Sequence, residues 1–330
     1  MSEAPKVLEF KGYRLGFKID GQVCDLIDDL SFSVRARSVL GVVGESGCGK
    51  SMTALSVLRL LPSAAVVQGG EILFNGENLL AHSEARMETI RGREISMVFQ
   101  EPMTSLNPVH SVGRQIGEVL RIHRSDMAPQ ERREATVALL REVGIANPEQ
   151  RHDQFPHQLS GGMRQRVMIA MAVACRPQIL LADEPTTALD GTIQAQVLAL
   201  MQDLKEHTQG SIMLITHNLG VVAETCDEVV IMYAGRVVES GSVQDIFEQP
   251  QHPYTQGLLA SLPSLAGSTG ELYSIPGSVP AIGQFEPGCR FAPRCAQRRE
   301  ICSRSVPALT AVGPGHAVAC WATGAQEGPV

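Results

Sequence analysis

The residues of this chain best suited to chemistry begin at Gly44, in the run Gly-Glu-Ser-Gly-Cys-Gly-Lys-Ser that ends at Ser51. This run fits the pattern G-x-x-x-x-G-K-[ST], in which backbone N–H groups at a helix start surround phosphate groups. The Lys50 amine then reaches the terminal phosphates, and the Ser51 hydroxyl is a ligand for Mg²⁺. A glycine-rich turn is the alternative, but the run follows an apolar strand pattern and precedes a helical one, the context that a phosphate-binding loop requires.

Two adjacent carboxylates, Asp183 and Glu184, follow an apolar stretch that predicts a buried strand. Carboxylates at the carboxyl end of such a strand face the ligand crevice of an α/β sheet. Asp183 is suited to holding Mg²⁺ through water, and Glu184 to activating the attacking water as a general base. Taken alone, the pair is equally consistent with an ordinary turn before Pro185. The phosphate-binding loop upstream favours the catalytic interpretation.

A third candidate is the run Leu-Ser-Gly-Gly-Met-Arg-Gln-Arg, which begins at Leu159 and precedes a helical pattern. Ser160 is a good helix N-cap, so a capping role is one interpretation. Capping does not explain why Ser-Gly-Gly stands about 20 residues before the carboxylate strand.

The elements that must position these residues alternate between strands and helices. Residues 5–40 predict short antiparallel strands, and 113–175 predict a mostly helical insertion. Beyond Pro250 the chain is richer in Pro, Gly and Ser and loses periodicity. Buried strands are predicted at 39–43, 95–99, 179–182, 212–216 and 229–232, and helices at 50–61, 113–124, 130–144, 160–175 and 192–207. This alternation predicts an α/β fold with a parallel sheet.

Composition excludes some classes of protein. The 330 residues carry a formal net charge of -7, which gives no support for bulk electrostatic binding to nucleic acid. No apolar run approaches the ~18 residues needed to cross a bilayer, and the polar start is unlike a signal peptide. We therefore expect the chain to stay in the cytoplasm, free or docked on a membrane protein.

At this point the chain resembles the ABC-type ATPases over residues 5–250. Five elements occur in order: the phosphate-binding loop, Gln100 after a strand, Leu-Ser-Gly-Gly, Asp183-Glu184, and His217 after another strand. The resemblance implies a P-loop NTPase (RecA-like) core with an antiparallel β subdomain and an inserted helical subdomain at about 101–175. It implies an ATP-binding domain at 1–250 and a Cys-rich C-terminal extension at 251–330. It also implies that two subunits face head to tail, with each ATP between one phosphate loop and the other subunit's Ser-Gly-Gly.

The roles of individual residues follow from the resemblance. Catalysis is assigned to Glu184, His217, Lys50 and Gln100, and Mg²⁺ binding to Ser51, Gln100 and Asp183. Phe17 is chosen over Tyr13 as the aromatic that stacks on adenine. Ala188-Leu-Asp190 matches a loop that contacts the partner, and Gly191 departs from the β-branched residue usual there. The nucleotide-binding set is Phe17, Gly44, Glu45, Ser46, Gly47, Cys48, Gly49, Lys50, Ser51, Met52, Gln100 and Asp183, and the set acting on the partner's ATP is Ser160, Gly161, Gly162 and Met163.

Several stretches are similar to the peptide and nickel importer branch, among them 99–108, 159–172, 251–255 and 274–277. Residues 159–172 are most similar to the D-type chain, the first of two ATPase subunits in dipeptide or oligopeptide importers. This similarity implies an ATPase that powers the uptake of dipeptides, oligopeptides or nickel-like cargo. It also implies a second related ATPase as heterodimer partner, two permease subunits, an extracytoplasmic binding protein and a peripheral position on the cytoplasmic face of the inner membrane. A soluble ABC ATPase acting on nucleic acid or ribosomes is the alternative, and a regulatory subunit with a dead site is another.

Four of the eight cysteines lie in the extension: Cys289, Cys295, Cys302 and Cys320. Four thiolates suit a 4Fe-4S cluster or a tetrahedral zinc ion. The paired C-x2-C spacing usual for zinc is absent, and resemblance to the branch also favours iron and sulfur. Free or disulfide-bonded thiols remain a third possibility. His316 is interpreted as structural, because four cysteines already complete a site.

Overall fold

The computed structural model describes residues 4–100, 105–186, 191–262 and 273–323, apart from the side chains of Leu204, His207 and Thr208. The chain forms two compact units. The first comprises Met1–Leu80 and Ile215–Val330, and the second comprises Ala81–Leu214. The C-terminal extension therefore belongs to the same unit as the phosphate-binding loop.

Strands and helices follow one another along the described parts of the chain. The strands are β1 (Lys6–Ile19), β2 (Gln22–Arg35), β3 (Val39–Val43), β4 (Ala65–Phe74), β5 (Glu77–Asn78), β6 (Ile95–Val98), β7 (Ile179–Asp183), β8 (Ser211–Thr216), β9 (Glu228–Tyr233), β10 (Arg236–Ser242), β11 (Thr310–Gly313) and β12 (His316–Val318). The α-helices are α1 (Lys50–Val57), α2 (Glu84–Ile90), α3 (Val112–His123), α4 (Pro129–Glu142), α5 (Pro148–His152), α6 (Gly161–Val173), α7 (Gly191–Thr208), α8 (Leu219–Thr225), α9 (Val243–Glu248) and α10 (Pro253–Ala260).

An antiparallel sheet with the order β2-β1-β4-β5 opens the first unit. Strands β1 and β2 are joined at Asp20 and Gly21, whose φ angles are 48° and 81°. Two residues at positive φ match the type I′ turn, whose twist suits an antiparallel hairpin. The sequence predicts short strands here, whereas the structure has two long strands. Register shifts such as that between Phe10 and Tyr13 let the long pair bend without breaking.

A second group of strands in the first unit has the order β11-β12-β10-β9-β3. Strands β3 and β9 are parallel, whereas β9 pairs with β10 and β10 with β12 in antiparallel fashion. All five residues of β3 are buried, as expected for a central strand covered on both faces. Because β12 belongs to the extension, the extension continues the sheet that carries the phosphate-binding loop.

The second unit combines helices with the parallel pair β6 and β7. Ser83 and Ser111 cap α2 and α3, each accepting a backbone N–H three residues on. Such caps satisfy amide groups that a helix start leaves without partners. The helices predicted at 113–124, 130–144 and 160–175 are present with ends that differ by at most two residues.

Helix α1 is shorter than the helix predicted at 50–61, because it ends at Val57. Arg59 has a φ of 52°, so the chain leaves the helical path there. The sequence pattern continues to Leu61, just before Pro62, and only the structure shows the earlier exit. The consequence is a short helix that carries the phosphate-binding loop at its start.

Candidate active site

Six residues separate β3 from α1, and they form a tight loop. Gly47 and Gly49 have φ angles of 81° and 101°, where glycine alone is free of strain. A Cβ at Gly44 would lie 2.2 Å from the Met232 carbonyl oxygen, so a side chain does not fit there. The glycines thus bend the backbone over the helix start, where N–H groups attract an anion.

The Lys50 side chain is buried inside this loop. The residue is 5% exposed, and its Nζ donates to the carbonyl oxygens of Gly44 at 2.7 Å and Glu45 at 3.0 Å. Both acceptors are neutral, and a phosphate oxygen is a stronger partner for an ammonium group than a carbonyl. The arrangement therefore fits the predicted contact between Lys50 and the terminal phosphates of ATP.

Cys48 anchors the loop rather than supplying a reactive group. Burial raises the pKa of its thiol, although the nearby Lys50 charge opposes that rise. The thiol therefore stays protonated and unreactive. Its carbonyl accepts the Gly235 N–H at 2.9 Å, which ties the loop to the turn between β9 and β10.

The predicted Mg²⁺ ligand Asp183 and the predicted general base Glu184 lie in the second unit. Asp183 ends β7 and is 4% exposed, and Glu184 follows it with a φ of 45°. A left-handed glutamate costs energy and is typical of functional positions. Gln100, exposed after β6, donates from Nε2 to Glu184 Oε2 at 3.1 Å. The structure thus brings Gln100 and the predicted general base together.

The predicted signature residues lie at the start of α6. Ser160 is the N-cap, and its Oγ accepts the Met163 N–H at 3.3 Å. Ser160 and Gly161 are exposed, and a Cβ at Gly161 would touch nothing within 4 Å. At Gly162 a Cβ would lie 3.1 Å from Ile193 in α7. Ser160 can therefore cap α6 and still contact a second molecule, because Ser160 and Gly161 are exposed.

Gln165 is a supporting residue that the sequence analysis missed. It is 2% exposed, and its Nε2 donates to the Pro185 carbonyl at 2.6 Å. This bond holds the turn that follows Glu184 against the signature helix. A polar residue on the buried face of a helix is the signal that points to such a contact, since buried amides need partners.

His217 and Phe17 both lie in the first unit. His217 follows β8 and is exposed, and Asn218 next to it caps α8 with its side-chain oxygen. Phe17 in β1 is half-buried. Tyr13 is fully buried and donates to Ser56 Oγ at 2.9 Å, so it belongs to the core. Of the two aromatics, only Phe17 is partly exposed.

The predicted partner-contact residues Ala188, Leu189 and Asp190 lie outside the described residues. Gly191 is described and begins α7, where a Cβ would meet nothing within 4 Å. The absence of a β-branched residue at this position therefore removes no packing contact within the described residues.

The four cysteines of the extension gather in one part of the first unit. Burial raises the pKa of the Cys289 thiol to about 11, and the other three thiols act on it in the same direction. Backbone N–H groups reach each sulfur: Phe291 to Cys289, Gln297 to Cys295, Arg299 to Cys302 and Ala322 to Cys320. Nevertheless, among the described residues no three His, Cys, Asp or Glu side chains are close enough to hold a metal ion.

His316 has the structural role that the sequence analysis assigned to it. Its Nε2 lies 2.8 Å from Glu239 Oε1, and both residues are buried. Glu239 also accepts the backbone N–H groups of Gln251 and His252. His316 therefore joins the extension to β10.

Comparison with known proteins agrees with this geometry. The ABC transporter family model matches residues 27–187, and the model of the oligopeptide/dipeptide transporter C-terminal region matches residues 238–302. The chain is 50% identical over 321 residues to a probable peptide ABC transporter ATP-binding protein of Sinorhizobium fredii, covering 97% of this chain and 96% of that one. It is 47% identical over 317 residues to the dipeptide transport ATP-binding protein DppD of Bacillus subtilis, covering 96% of this chain and 94% of that one.

Solved structures show the same fold at lower identity. The ATP-binding cassette MJ0796, in a dimeric post-hydrolysis state with ADP and phosphate, superposes with a TM-score of 0.65 at 24% identity, covering 72% of this chain and 98% of that one. The protein cbiO1 of Clostridium perfringens, part of the ABC transporter complex cbiONQ, superposes with a TM-score of 0.63 at 23% identity, covering 74% of this chain and 91% of that one. No described helix is long and apolar enough to cross a membrane. This chain therefore belongs to the ABC transporter family, as an ATPase of the peptide importer branch.

Proposed function

We propose that this chain hydrolyses ATP on the cytoplasmic face of the inner membrane to power the import of dipeptides or oligopeptides. The observation that carries the proposal is the continuous similarity to peptide importer ATPases, which extends through the C-terminal region. The intact set of Lys50, Asp183, Glu184 and His217 opposes a regulatory subunit with a dead site. Nothing in the comparisons favours the soluble alternative that acts on nucleic acid or ribosomes.

In the proposed mechanism, ATP lies between this chain's phosphate-binding loop and the signature edge of a second, related ATPase. Lys50 neutralises charge on the terminal phosphates, and Glu184 takes a proton from the attacking water while Gln100 orients its carboxylate. Ser160, Gly161 and Gly162 serve the partner's ATP. Because neither half of the site binds the terminal phosphate fully alone, ATP holds the two subunits together, and hydrolysis releases them.

A measurement of complex composition tests this assembly. The tagged chain, extracted from its own membranes in mild detergent, should give a native mass that contains one copy of the chain, one different ATPase and two permeases. A binding protein should join when peptide is added. A soluble homodimer of this chain, recovered without permeases under the same conditions, would contradict the heterodimer and the importer together.

We further propose a 4Fe-4S cluster held by Cys289, Cys295, Cys302 and Cys320. The support is the gathering of the four thiols and the N–H groups directed at each sulfur, which are common features around cluster ligands. Among the described residues no three such side chains are close enough to hold a metal ion, so the proposed cluster rests on the cysteine pattern and on these N–H groups. When bound, it would supply a structural link rather than take part in hydrolysis.

Removing one thiol tests the cluster. Cys289→Ser, purified without oxygen, should lose iron, sulfide and the absorption at about 400 nm that the wild type shows. Cys175→Ser, which changes a half-buried thiol in the other unit, should keep all three. A colourless wild type with one zinc per chain would replace the cluster with zinc, and a wild type free of metal would leave four free or oxidised thiols.

A further inference from the structure

The C-terminal extension shares a hydrophobic core with the phosphate-binding loop. Tyr233 of β9 packs against Tyr254 of α10 with ring centroids 4.8 Å apart, and against Phe291 at 5.1 Å. Phe291 lies in the extension between Cys289 and Cys295. The same cluster contains Val43, the last residue of β3 before the loop. The segment that follows residue 250 is thus packed directly beneath the residues expected to bind phosphate.

One ion pair connects the extension to the loop itself. Arg294 Nη1 lies 2.9 and 3.0 Å from the two carboxylate oxygens of Glu45, the second residue of the phosphate-binding loop. The Arg294 side chain is 6% exposed and the Glu45 side chain 29%. Two further donors of Arg294 are used as well, since Nε donates to Pro276 O at 2.8 Å and Nη2 to Ile275 O at 3.3 Å. The guanidinium group is therefore fixed in one position against Glu45.

Tyr254 contacts the same loop residue from a second direction. Its hydroxyl oxygen accepts the backbone N–H of Glu45 at 2.9 Å. Burial raises the pKa of Tyr254, and a hydrogen bond to the Glu45 carboxylate adds to that rise. Tyr254 is fully buried, and its hydroxyl stays protonated and hydrogen-bonded to Glu45. Backbone and side chain of Glu45 are both held by residues outside the phosphate-binding motif.

A carboxylate at this position creates an electrostatic problem. The loop must attract the negative charges of ATP, and Glu45 places a negative charge within it. Charge interactions reach over several ångströms in a partly buried site, where the effective dielectric is well below that of water. A buried arginine that binds both carboxylate oxygens offsets that charge. Without Arg294, the negative charge of Glu45 would lose the ion pair that offsets it.

We propose that Arg294 and Tyr254 are positioning residues of the ATP site, and that Arg294 neutralises Glu45 so that the loop accepts ATP. The extension is then part of the nucleotide-binding machinery and not only an appendage. This inference rests on ATP binding at Lys50, and it adds a determinant of affinity that lies almost 250 residues along the chain from the loop. Neither residue touches the reacting atoms, so both act through Glu45.

A double-mutant cycle tests the electrostatic role. Arg294→Gln in the full chain should raise the Kd for MgATP about tenfold, and the Kd for MgADP by a smaller factor because the ligand carries less charge. Combining it with Glu45→Gln should return the Kd to within about threefold of wild type, since the uncompensated charge is gone. Arg294→Lys, which keeps the charge, should retain most of the affinity.

The control is Arg298→Gln, which removes one positive charge from an exposed position in the same extension and should leave both Kd values unchanged. Thermal unfolding of each variant shows whether the fold is intact. Unchanged ATP affinity in Arg294→Gln would overturn the inference. A double variant as weak as Arg294→Gln would also overturn it, because Arg294 would then act only as a structural tether. A wild type that binds no MgATP would instead overturn the proposed function.

Discussion

Glu184→Gln is expected to reduce kcat for ATP hydrolysis by about 10²- to 10⁴-fold, the usual contribution of a general base. The amide cannot take a proton from water, yet it keeps the size of the carboxylate and can still meet the Gln100 amide. The side chain is placed by a left-handed backbone after β7 and by the Gln100 contact of 3.1 Å, so the substitution should leave the site in place. MgATP should remain bound and the ATP-bound assembly should persist.

The measurement is release of inorganic phosphate, together with the Kd for MgATP, in the intact membrane complex. Glu88→Gln, which makes the same change on exposed helix α2, should hydrolyse ATP at the wild-type rate. If Glu184→Gln hydrolyses ATP as fast as the wild type, another residue is the general base. If it loses ATP binding, Glu184 has a role in binding that the geometry does not predict.

Lys50→Ala is expected to raise the Kd for MgATP by about 10- to 100-fold, the range for loss of a hydrogen bond to a charged group. The ammonium group is buried in the loop, where Gly44 and Glu45 carbonyls hold it. Its removal takes away the positive charge that this loop directs at the terminal phosphates and leaves two buried carbonyls with fewer donors. Binding should fail before any chemistry occurs, in contrast to Glu184→Gln.

Titration with a fluorescent ATP analogue measures this effect. Lys205→Ala, on helix α7, removes the same charge outside the phosphate loop and should bind with wild-type affinity. A wild-type Kd for Lys50→Ala would mean that the glycine-rich loop is not the phosphate site. The two substitutions together separate the loop that binds ATP from the carboxylate that activates water.

Much of the site could be predicted because short motifs specify short-range geometry. Gly49 and Lys50 mark the helix start because only glycine suits the φ of 101° that precedes it. Asp183 and Glu184 are found because a strand of continuous apolar residues must end where polar residues begin. In each case the sequence signal and the structural cause lie within a few residues of each other.

The contacts that the sequence did not reveal join distant positions. Arg294 and Glu45 are 249 residues apart, and neither a periodicity nor a spacing rule encodes that pair. The hydrogen bond of Gln165 could not be predicted either, because its partner is a backbone carbonyl 20 residues away. The length of the first hairpin was underestimated for a related reason: bulges in β1 interrupt the alternation that strand prediction depends on.

Hydrolysis of ATP by this chain is expected to drive peptides across a membrane. The most direct measurement places the purified complex in liposomes with its binding protein, and follows phosphate release and a labelled oligopeptide together. We predict that peptide stimulates ATP hydrolysis, that labelled peptide crosses the bilayer only with MgATP, and that Glu184→Gln stops both. Wild-type hydrolysis that is indifferent to peptide, with no peptide crossing the bilayer, would contradict the proposed function.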